Sequence, residues 1–396
     1  MKLKVYKFGG ACLEGKKRIT NAVSACISEI KNGSKLVTVV SAMGKTTDEL
    51  YKLVQEIDPG VTLEDSMRIV GMGEIISARI FNYSLKKAGI KSVVLEPQSE
   101  KWPLFLKKDG NLNKSLTEKK IKKFLPEFLK DFDSVVVPGF IALKKNGDWG
   151  TLGRGGSDTT AFILGKYLCA HEIVIVKDVN GIYTADPAVL SEARQLKYIS
   201  AEDLSTISSF GAKVIHSDAL SFKRKNQKVM IIHHSFGDLS YEGTVIDGKV
   251  TRKLFLLETQ LSMISVYKKD ITGDRKLIQN LTRKTLETTK VFGTTLGIDY
   301  LGFYVTSNKS HRVMEKLEKI SLEKELNIVE RKNVALLIMR RESPINLPGM
   351  INYLLTPLAR KKLNIVEVIT IGREILLFIG WEDRMKAMQA LKGRKR

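Results

Sequence analysis

Cysteine is scarce in this chain. Cys12, Cys26 and Cys169 are the three present in 396 residues, an odd number with none at metal-ligand spacing, which excludes a disulfide framework and argues against a zinc site. Histidine is scarce too: of five, only His233 and His234 are adjacent, at the end of a strand-like run where a strand-end role outweighs metal binding. Long apolar runs are missing. Stretches such as 173–176 and 135–137 are strand-sized, far short of the roughly 20 residues a membrane helix needs. The N-terminus offers no apolar leader and no small-residue cleavage site, so a cytoplasmic protein without membrane contact is expected. Acidic residues are outnumbered, 43 against 65 Lys and Arg, for a net charge of +22. The basic residues are scattered over nearly every predicted helix, so nucleic acid is not expected as a partner. A positive field does suit anionic substrates such as a nucleotide and a carboxylate.

What is present is ordinary globular composition, 43% hydrophobic and 27% charged, in a chain long enough for more than one core. Up to about residue 250, β-branched runs at 5–8, 36–40, 92–95, 134–137, 173–176 and 229–232 alternate with stretches at helical spacing, such as Ile19, Val23, Cys26, Ile27 and Ile30. This alternation predicts an α/β fold, a mostly parallel sheet with helices on both faces. Ligands in such folds bind beyond the carboxyl ends of the strands. From about 251 the glycine-rich strand-to-helix loops stop, and two shorter α+β units follow, about 261–325 and 326–396. The second is the clearer: a strand at 334–339, an amphipathic stretch at 350–362 behind Pro348 and Gly349, strands at 365–370 and 375–380, and a helix at 383–391. That order fits a ferredoxin-like module.

Four loops leaving strands carry the chemistry. Lys7-Phe8-Gly9-Gly10 puts a lysine beside two glycines that let backbone amides approach an oxyanion, or else makes a tight turn with a solvated lysine. The segment from Gly10 to Lys16 also spells G-x-x-x-x-G-K, but Lys17 stands where a nucleotide-binding P-loop needs Ser or Thr. The second loop holds Ser41, Thr46, Thr47 and Gly44 at a strand end, and could equally be a helix N-cap by Thr47. The third contains Gly150, Gly153, Arg154, Gly155, Gly156, Ser157 and Asp158 and opens a helix predicted at 158–168. Unpaired amides and the helix dipole make that an anion site, and Arg154 can clamp a carboxylate with two parallel bonds. The fourth, 177–187, reads from its residues as a turn-rich loop around Asn180-Gly181 and Asp186-Pro187.

Together and in this order, KFGG, VSAM followed by TTD, GRGGSDTTA, KDVNGIYTADP and FGAKVIH at 210–216 resemble the aspartate kinases, a branch of the amino acid kinase family, over roughly the first 245 residues. Gly71-Met72-Gly73-Glu74 adds that family's substrate-facing glutamate, and LPGMIN at 347–352 resembles its paired ACT regulatory modules. The resemblance implies an amino acid kinase catalytic domain at 1–250 and a regulatory region of two ACT-like modules at 251–396. It implies ATP with Mg2+ and L-aspartate as reactants, phosphorylated at the β-carboxylate in the first step toward lysine, threonine and methionine. Lys7 and the amides of Gly9 and Gly10 would hold the transferring phosphoryl group, Asp158 would orient Lys7 and help organise the metal and nucleotide, and Ser41 would sit between donor and acceptor. Arg154 would grip the acceptor's α-carboxylate and Glu74 its ammonium, with Thr47 and Ser157 in support. Lys177, Asp178, Tyr183 and Lys213 would line the nucleotide pocket, and no protein-built metal site is implied. The modules imply an amino-acid effector and a homodimer or higher oligomer.

The chain departs from the family pattern at three points. Ala11-Cys12 replaces a hydroxyl by a thiol, a poor hydrogen-bond donor, Ala188 stands where arginine is usual, and Lys177 where threonine is common. These departures keep two other readings open: a paralogous kinase acting on homoserine or another small amino compound, and a non-catalytic sensor of nucleotide or amino acids. A binding module has no need of the lysine that positions a phosphoryl group, which speaks against the sensor.

Overall fold

Runs of β-branched residues, apolar on both faces, form the centre of an eight-stranded sheet. The computed structural model describes residues 2–185, 187, 190–209, 214–235, 243–250, 253–324, 326–340, 349–371 and 374–392, which fall into two units, Met1–Thr251 and Arg252–Arg396. In chain order the strands of the first unit are β1 (Lys2–Phe8), β2 (Ser34–Val40), β3 (Ser92–Val94), β4 (Ser134–Pro138), the hairpin β5 (Ile141–Leu143) and β6 (Trp149–Thr151), β7 (Glu172–Lys177), the short pair β8 (Ile182–Tyr183) and β9 (Gln195–Leu196), β10 (Tyr198–Ser200), β11 (Lys228–His233) and β12 (Thr244–Asp247). Its helices are α1 (Gly15–Lys31), α2 (Thr46–Ile57), α3 (Leu63–Val70), α4 (Met72–Lys87), α5 (Lys114–Asp131), α6 (Gly156–Tyr167), α7 (Ala201–Ser209) and α8 (Ser217–Leu220). The sheet order is β10-β12-β11-β7-β1-β2-β4-β3. Every neighbouring pair is parallel except β11 with β12.

Side chains alternate between two cores because the strand period is two. Val5, Val37 and Val39 enter one core with α5 and α6, whereas Tyr6, Phe8, Leu36 and Val40 enter the other with α1 and α4. A parallel sheet covered on both faces follows. Its register puts the strand ends in line: Phe8 lies opposite both Val40 and Val176, Val40 opposite Pro138, and His233 opposite Lys177. The loops leaving β1, β2, β4, β7 and β11 therefore emerge at one rim of the sheet.

The second unit is one antiparallel sheet made of two ferredoxin-like halves. Its elements are β13 (Lys253–Leu256), β14 (Leu261–Tyr267), α9 (Arg275–Thr288), β15 (Val291–Leu296), β16 (Tyr300–Thr306), α10 (Ser307–Lys324), β17 (Asn327–Arg340), α11 (Met350–Arg360), β18 (Ile365–Ile371), β19 (Glu374–Gly380) and α12 (Arg384–Leu391). The first half is ordered β15-β16-β14-β17. In the second, β17 continues between β13 and β19, with β18 at the far edge. The long strand β17 thus serves both halves: its start pairs with β14 and its end with β13 and β19. The sequence order of the second module lacks a fourth strand, and β13, which precedes the first module, supplies it. Helices α9 and α10 cover one face of the first half through Leu277, Leu281, Val313 and Leu317. On the helix-free side Tyr304 stacks on Phe378, ring centroids 3.6 Å apart, and donates its hydroxyl to Glu367 Oε2 at 2.6 Å.

Candidate functional site

Lys7 is the last residue but one of β1, so its side chain leaves the sheet at the rim where the loops gather. It is 6% exposed, and its Nζ lies 2.8 Å from Oδ1 of Asp158, itself 4% exposed. Asp158 sits in the first turn of α6, a helix buried along almost its whole length and packed on β1, β2 and β7. A helix can begin there because Gly155, its N-cap, takes φ +68°, a left-handed conformation that suits glycine. A Cβ at Gly155 would also come within 2.4 Å of His216 Cβ. The predicted start of this helix moves two residues upstream, to Gly156.

A second ammonium reaches the same carboxylate. Lys177 Nζ, at the end of β7, lies 3.4 Å from Asp158 Oδ2 and also donates to the carbonyl of Val214. Burial would raise the Asp158 carboxyl, but Lys177 and Lys7 outweigh it and hold the group below the usual carboxylate range. Burial is also the main influence on Lys177, and lowers it against the attraction of Asp158.

Of the two glycines of the first loop, Gly10 is set where only backbone fits. The amide of Gly9 donates to Val176 O at 3.2 Å, and Gly44 donates to Gly10 O at 3.0 Å, tying the first loop to the second. A Cβ on Gly10 would stand 2.6 Å from Ala42 O and 2.8 Å from Gly44 O. Gly9 lies next to the lysine, since a Cβ there would be 3.5 Å from Lys7 Nζ. Cys12, the thiol in place of a hydroxyl, is buried and donates to Val176 O at 3.4 Å. Burial pushes it up to about 11, so it is a neutral group in the floor of the loop.

Beyond β2, Ser41 donates its amide to Phe8 O at 3.1 Å. Thr47 does not cap α2, which starts at Thr46 with no side-chain cap. It donates its hydroxyl to Glu74 Oε1 at 3.1 Å. Glu74 is 3% exposed, and its Oε2 is buried without a hydrogen bond among the described residues. Burial dominates its titration and pushes the carboxyl from 4.5 up to about 7; the nearby amides and the Thr47 hydroxyl offset only part of this. Ser157 is buried against Gly139, where a Cβ would meet its Cβ at 2.6 Å.

The remaining expected residues are less tightly placed. Arg154 and Asp178 are exposed at the same rim, and Arg154 pairs with no carboxylate among the described residues. Tyr183 is half-buried in β8, which ties the 177–187 segment to β9, and makes no hydrogen bond to the Asp158 cluster among the described residues. Lys213 lies outside the described residues, as do Asp186 and Ala188. Sequence reasoning missed the Val214 carbonyl and His216, although both fall within FGAKVIH; the motif marked the segment but not the contact. Among the described residues no group of three or more His, Cys, Asp or Glu could hold a metal, and both oxygens of Asp158 already face ammonium groups.

The sequence profile of the amino acid kinase family matches residues 2–233. The chain is 32% identical to the aspartokinase of Bacillus sp. (strain MGA3) over 282 residues, 67% of this chain and 65% of that protein. It is 31% identical to the aspartokinase of Geobacillus stearothermophilus over 287 residues, 70% of this chain and 67% of that protein. The matched region thus spans about two thirds of the length of each. Among solved structures, the aspartate kinase from Synechocystis superposes with a TM-score of 0.77 at 22% identity, covering 98% of this chain and 68% of that one. This last likeness is one of fold.

Proposed function

The chain belongs to the amino acid kinase family, among its aspartokinases, and from that premise we propose that it transfers the γ-phosphoryl group of ATP to the β-carboxylate of L-aspartate, giving 4-phospho-L-aspartate and ADP. The observation that carries this reading is the buried Lys7–Asp158 pair at 2.8 Å, beside Gly9 and Gly10 at the aligned ends of β1, β2 and β7.

Phosphoryl transfer asks little covalent chemistry of the protein. A carboxylate oxygen attacks phosphorus in line, the bond from phosphorus to the ADP oxygen breaks, and both reactants are anions that must be brought together. Lys7, held by Asp158, meets the transferring group, with Gly10 presenting its amide, that of Gly9 being bonded to Val176 O, and Ser41 between donor and acceptor. Glu74, whose second oxygen is buried and unpaired, takes the acceptor's ammonium; Thr47 orients Glu74 from the other side. Arg154 grips the α-carboxylate with Ser157 in support, and Asp178, Tyr183 and Lys213 belong to the nucleotide side. Mg2+ would be held by the nucleotide phosphates and the exposed carboxylate of Asp178, in keeping with its habit of binding through one or two carboxylates plus phosphate, and supplies neutralising charge. The second unit carries the regulatory reading: two ACT-like modules that bind an amino-acid effector and pair between copies.

The test is ATP-dependent formation of hydroxamate from trapped acyl phosphate, run with aspartate, glutamate and homoserine, then repeated with lysine and threonine. An aspartate-dependent signal is expected. ADP release with homoserine and no hydroxamate would reassign the acceptor.

A further inference from the structure

One carboxylate needs one cation, and Asp158 has two. Lys7 Nζ stands 2.8 Å from Oδ1 and Lys177 Nζ 3.4 Å from Oδ2. The lysines come from adjacent parallel strands, where Phe8 lies opposite Val176, so Lys177 emerges one step beyond the end of β1. With both lysines protonated the three groups carry a net charge of one positive unit, all largely withdrawn from water, and the nearby Asp178 carboxylate is exposed. A buried excess charge is unfavourable until an anion shares the site. Beside Lys7 lies Gly9, whose Cβ position is 3.5 Å from Lys7 Nζ, followed by Gly10, whose Cβ position is filled by backbone. The amide of Gly9 is held by Val176 O, so the two ammonium groups at Asp158 are the donors suited to a phosphoryl oxygen here.

We propose that Lys177 is a second phosphoryl-binding cation, facing Lys7 across Asp158, and that Asp158 acts as the bridge holding both ammonium groups at a fixed spacing. The inference deepens the kinase reading and rests on it for the identity of the reaction, but not for the binding of phosphate. Lys177 makes and breaks no covalent bond; it donates N–H to oxygens whose charge changes as phosphorus moves from ADP to the acceptor. With a lysine at each oxygen of Asp158, part of the positive charge that faces the phosphates comes from Lys177, in addition to that of a divalent ion. Affinity for the nucleotide's terminal phosphates should therefore persist without a divalent ion.

Calorimetric titration of the full chain with a non-hydrolysable ATP analogue and with AMP, each in Mg2+ and in EDTA, tests this for the wild type, Lys177→Gln and Lys177→Arg. Glutamine can still donate to Val214 O but carries no charge. The expected result is that Lys177→Gln weakens the triphosphate in EDTA by about tenfold or more, as removal of one charge-assisted hydrogen bond would do, and leaves AMP within about twofold. Lys177→Arg should restore most of the affinity, and kcat should fall in the glutamine variant with little change in the acceptor KM. A glutamine variant that binds the triphosphate in EDTA as the wild type does, or that weakens AMP equally, overturns the proposal and leaves Lys177 a pin for the Val214 segment. Should Lys177→Gln lose its cooperative melting transition, the arginine variant decides: wild-type metal-free affinity supports a cation, and its loss overturns it. If the wild type binds the triphosphate yet phosphorylates no aspartate, the kinase reading fails while this one is still judged by binding.

Discussion

Thr47 donates its hydroxyl to Oε1 of Glu74 across 3.1 Å, joining the first turn of α2 to the first turn of α4. The opposite oxygen of Glu74 is buried with no hydrogen bond among the described residues. A carboxylate steadied from one side and left without a partner on the other needs a proton or a cation, and under the proposed function that cation is the acceptor's α-ammonium.

Glu74→Gln removes the charge and keeps the shape. Deleting a buried hydrogen bond between charged groups costs about 2–3 kcal/mol, so the KM for aspartate should rise roughly 30- to 150-fold by the ratio of 1.4 kcal/mol per factor of ten, with the KM for ATP nearly unchanged. Steady-state kinetics with each substrate varied checks this. An effect confined to ATP would place Glu74 elsewhere in the reaction.

The same residue predicts a pH dependence. Burial pushes its carboxyl from 4.5 in the open chain to about 7 in the fold, so between those values the folded protein keeps a proton that the unfolded chain releases. The contribution to stability is full below about 4.5 and is lost as pH rises through about 7, on the order of 3 kcal/mol in all. The melting temperature of unliganded Glu74→Gln should therefore gain on that of the wild type between pH 5 and pH 8. Binding an ammonium favours the ionised form, so the wild-type KM for aspartate should fall over the same range and that of the variant should not. A melting difference independent of pH would contradict the burial argument.

Lys7 and Asp158 should separate function from stability. Lys7→Ala leaves Asp158 its second lysine, so the fold should survive while kcat drops by about 10²- to 10³-fold, the usual effect of deleting one preorganised donor. Asp158→Ala strands two buried ammonium groups and should destabilise by about 3–5 kcal/mol. Chemical denaturation together with turnover of both variants tests the pair. Equal stability losses would mean that Lys177 does not stand in for Lys7.

Gly10→Ala is predicted to be disabling although alanine is small. Its Cβ would sit 2.6 Å from Ala42 O and 2.8 Å from Gly44 O, both backbone atoms that cannot rotate aside. The first two loops must then separate, and kcat should fall at least about tenfold, since a misplacement of about 1 Å can cost 10²-fold. Gly15→Ala is the control: its Cβ meets nothing within 4 Å, but its φ of +77° adds strain, so its expected effect is on stability and not on turnover. Similar kinetics in the two variants would remove the steric argument.

Much of the first unit was legible in the residues. The runs at 36–40 and 173–176 become β2 and β7 nearly as spaced, because a strand apolar on both faces announces a covered sheet. The glycine-rich loops were readable as well, since φ +68° at Gly155 and the crowding at Gly10 leave few alternatives. Thr47 shows where local reading stops. Its position suits an N-cap, yet its partner is a carboxylate 27 residues away. The second unit shows the same limit: nothing about 253–256 distinguishes a linker from the strand that completes a module whose other parts begin at β17.

Order of elements, turn chemistry and the supply of amides at strand ends are properties of neighbouring residues, and the bare chain settles them. Which cation meets Asp158, which hydroxyl steadies Glu74 and which strand pairs with the end of β17 depend on register and on how α4 and α6 dock, and these follow from packing summed over both cores. A side chain's period names the face it occupies, but its partner is chosen by everything else that the fold brings to that face.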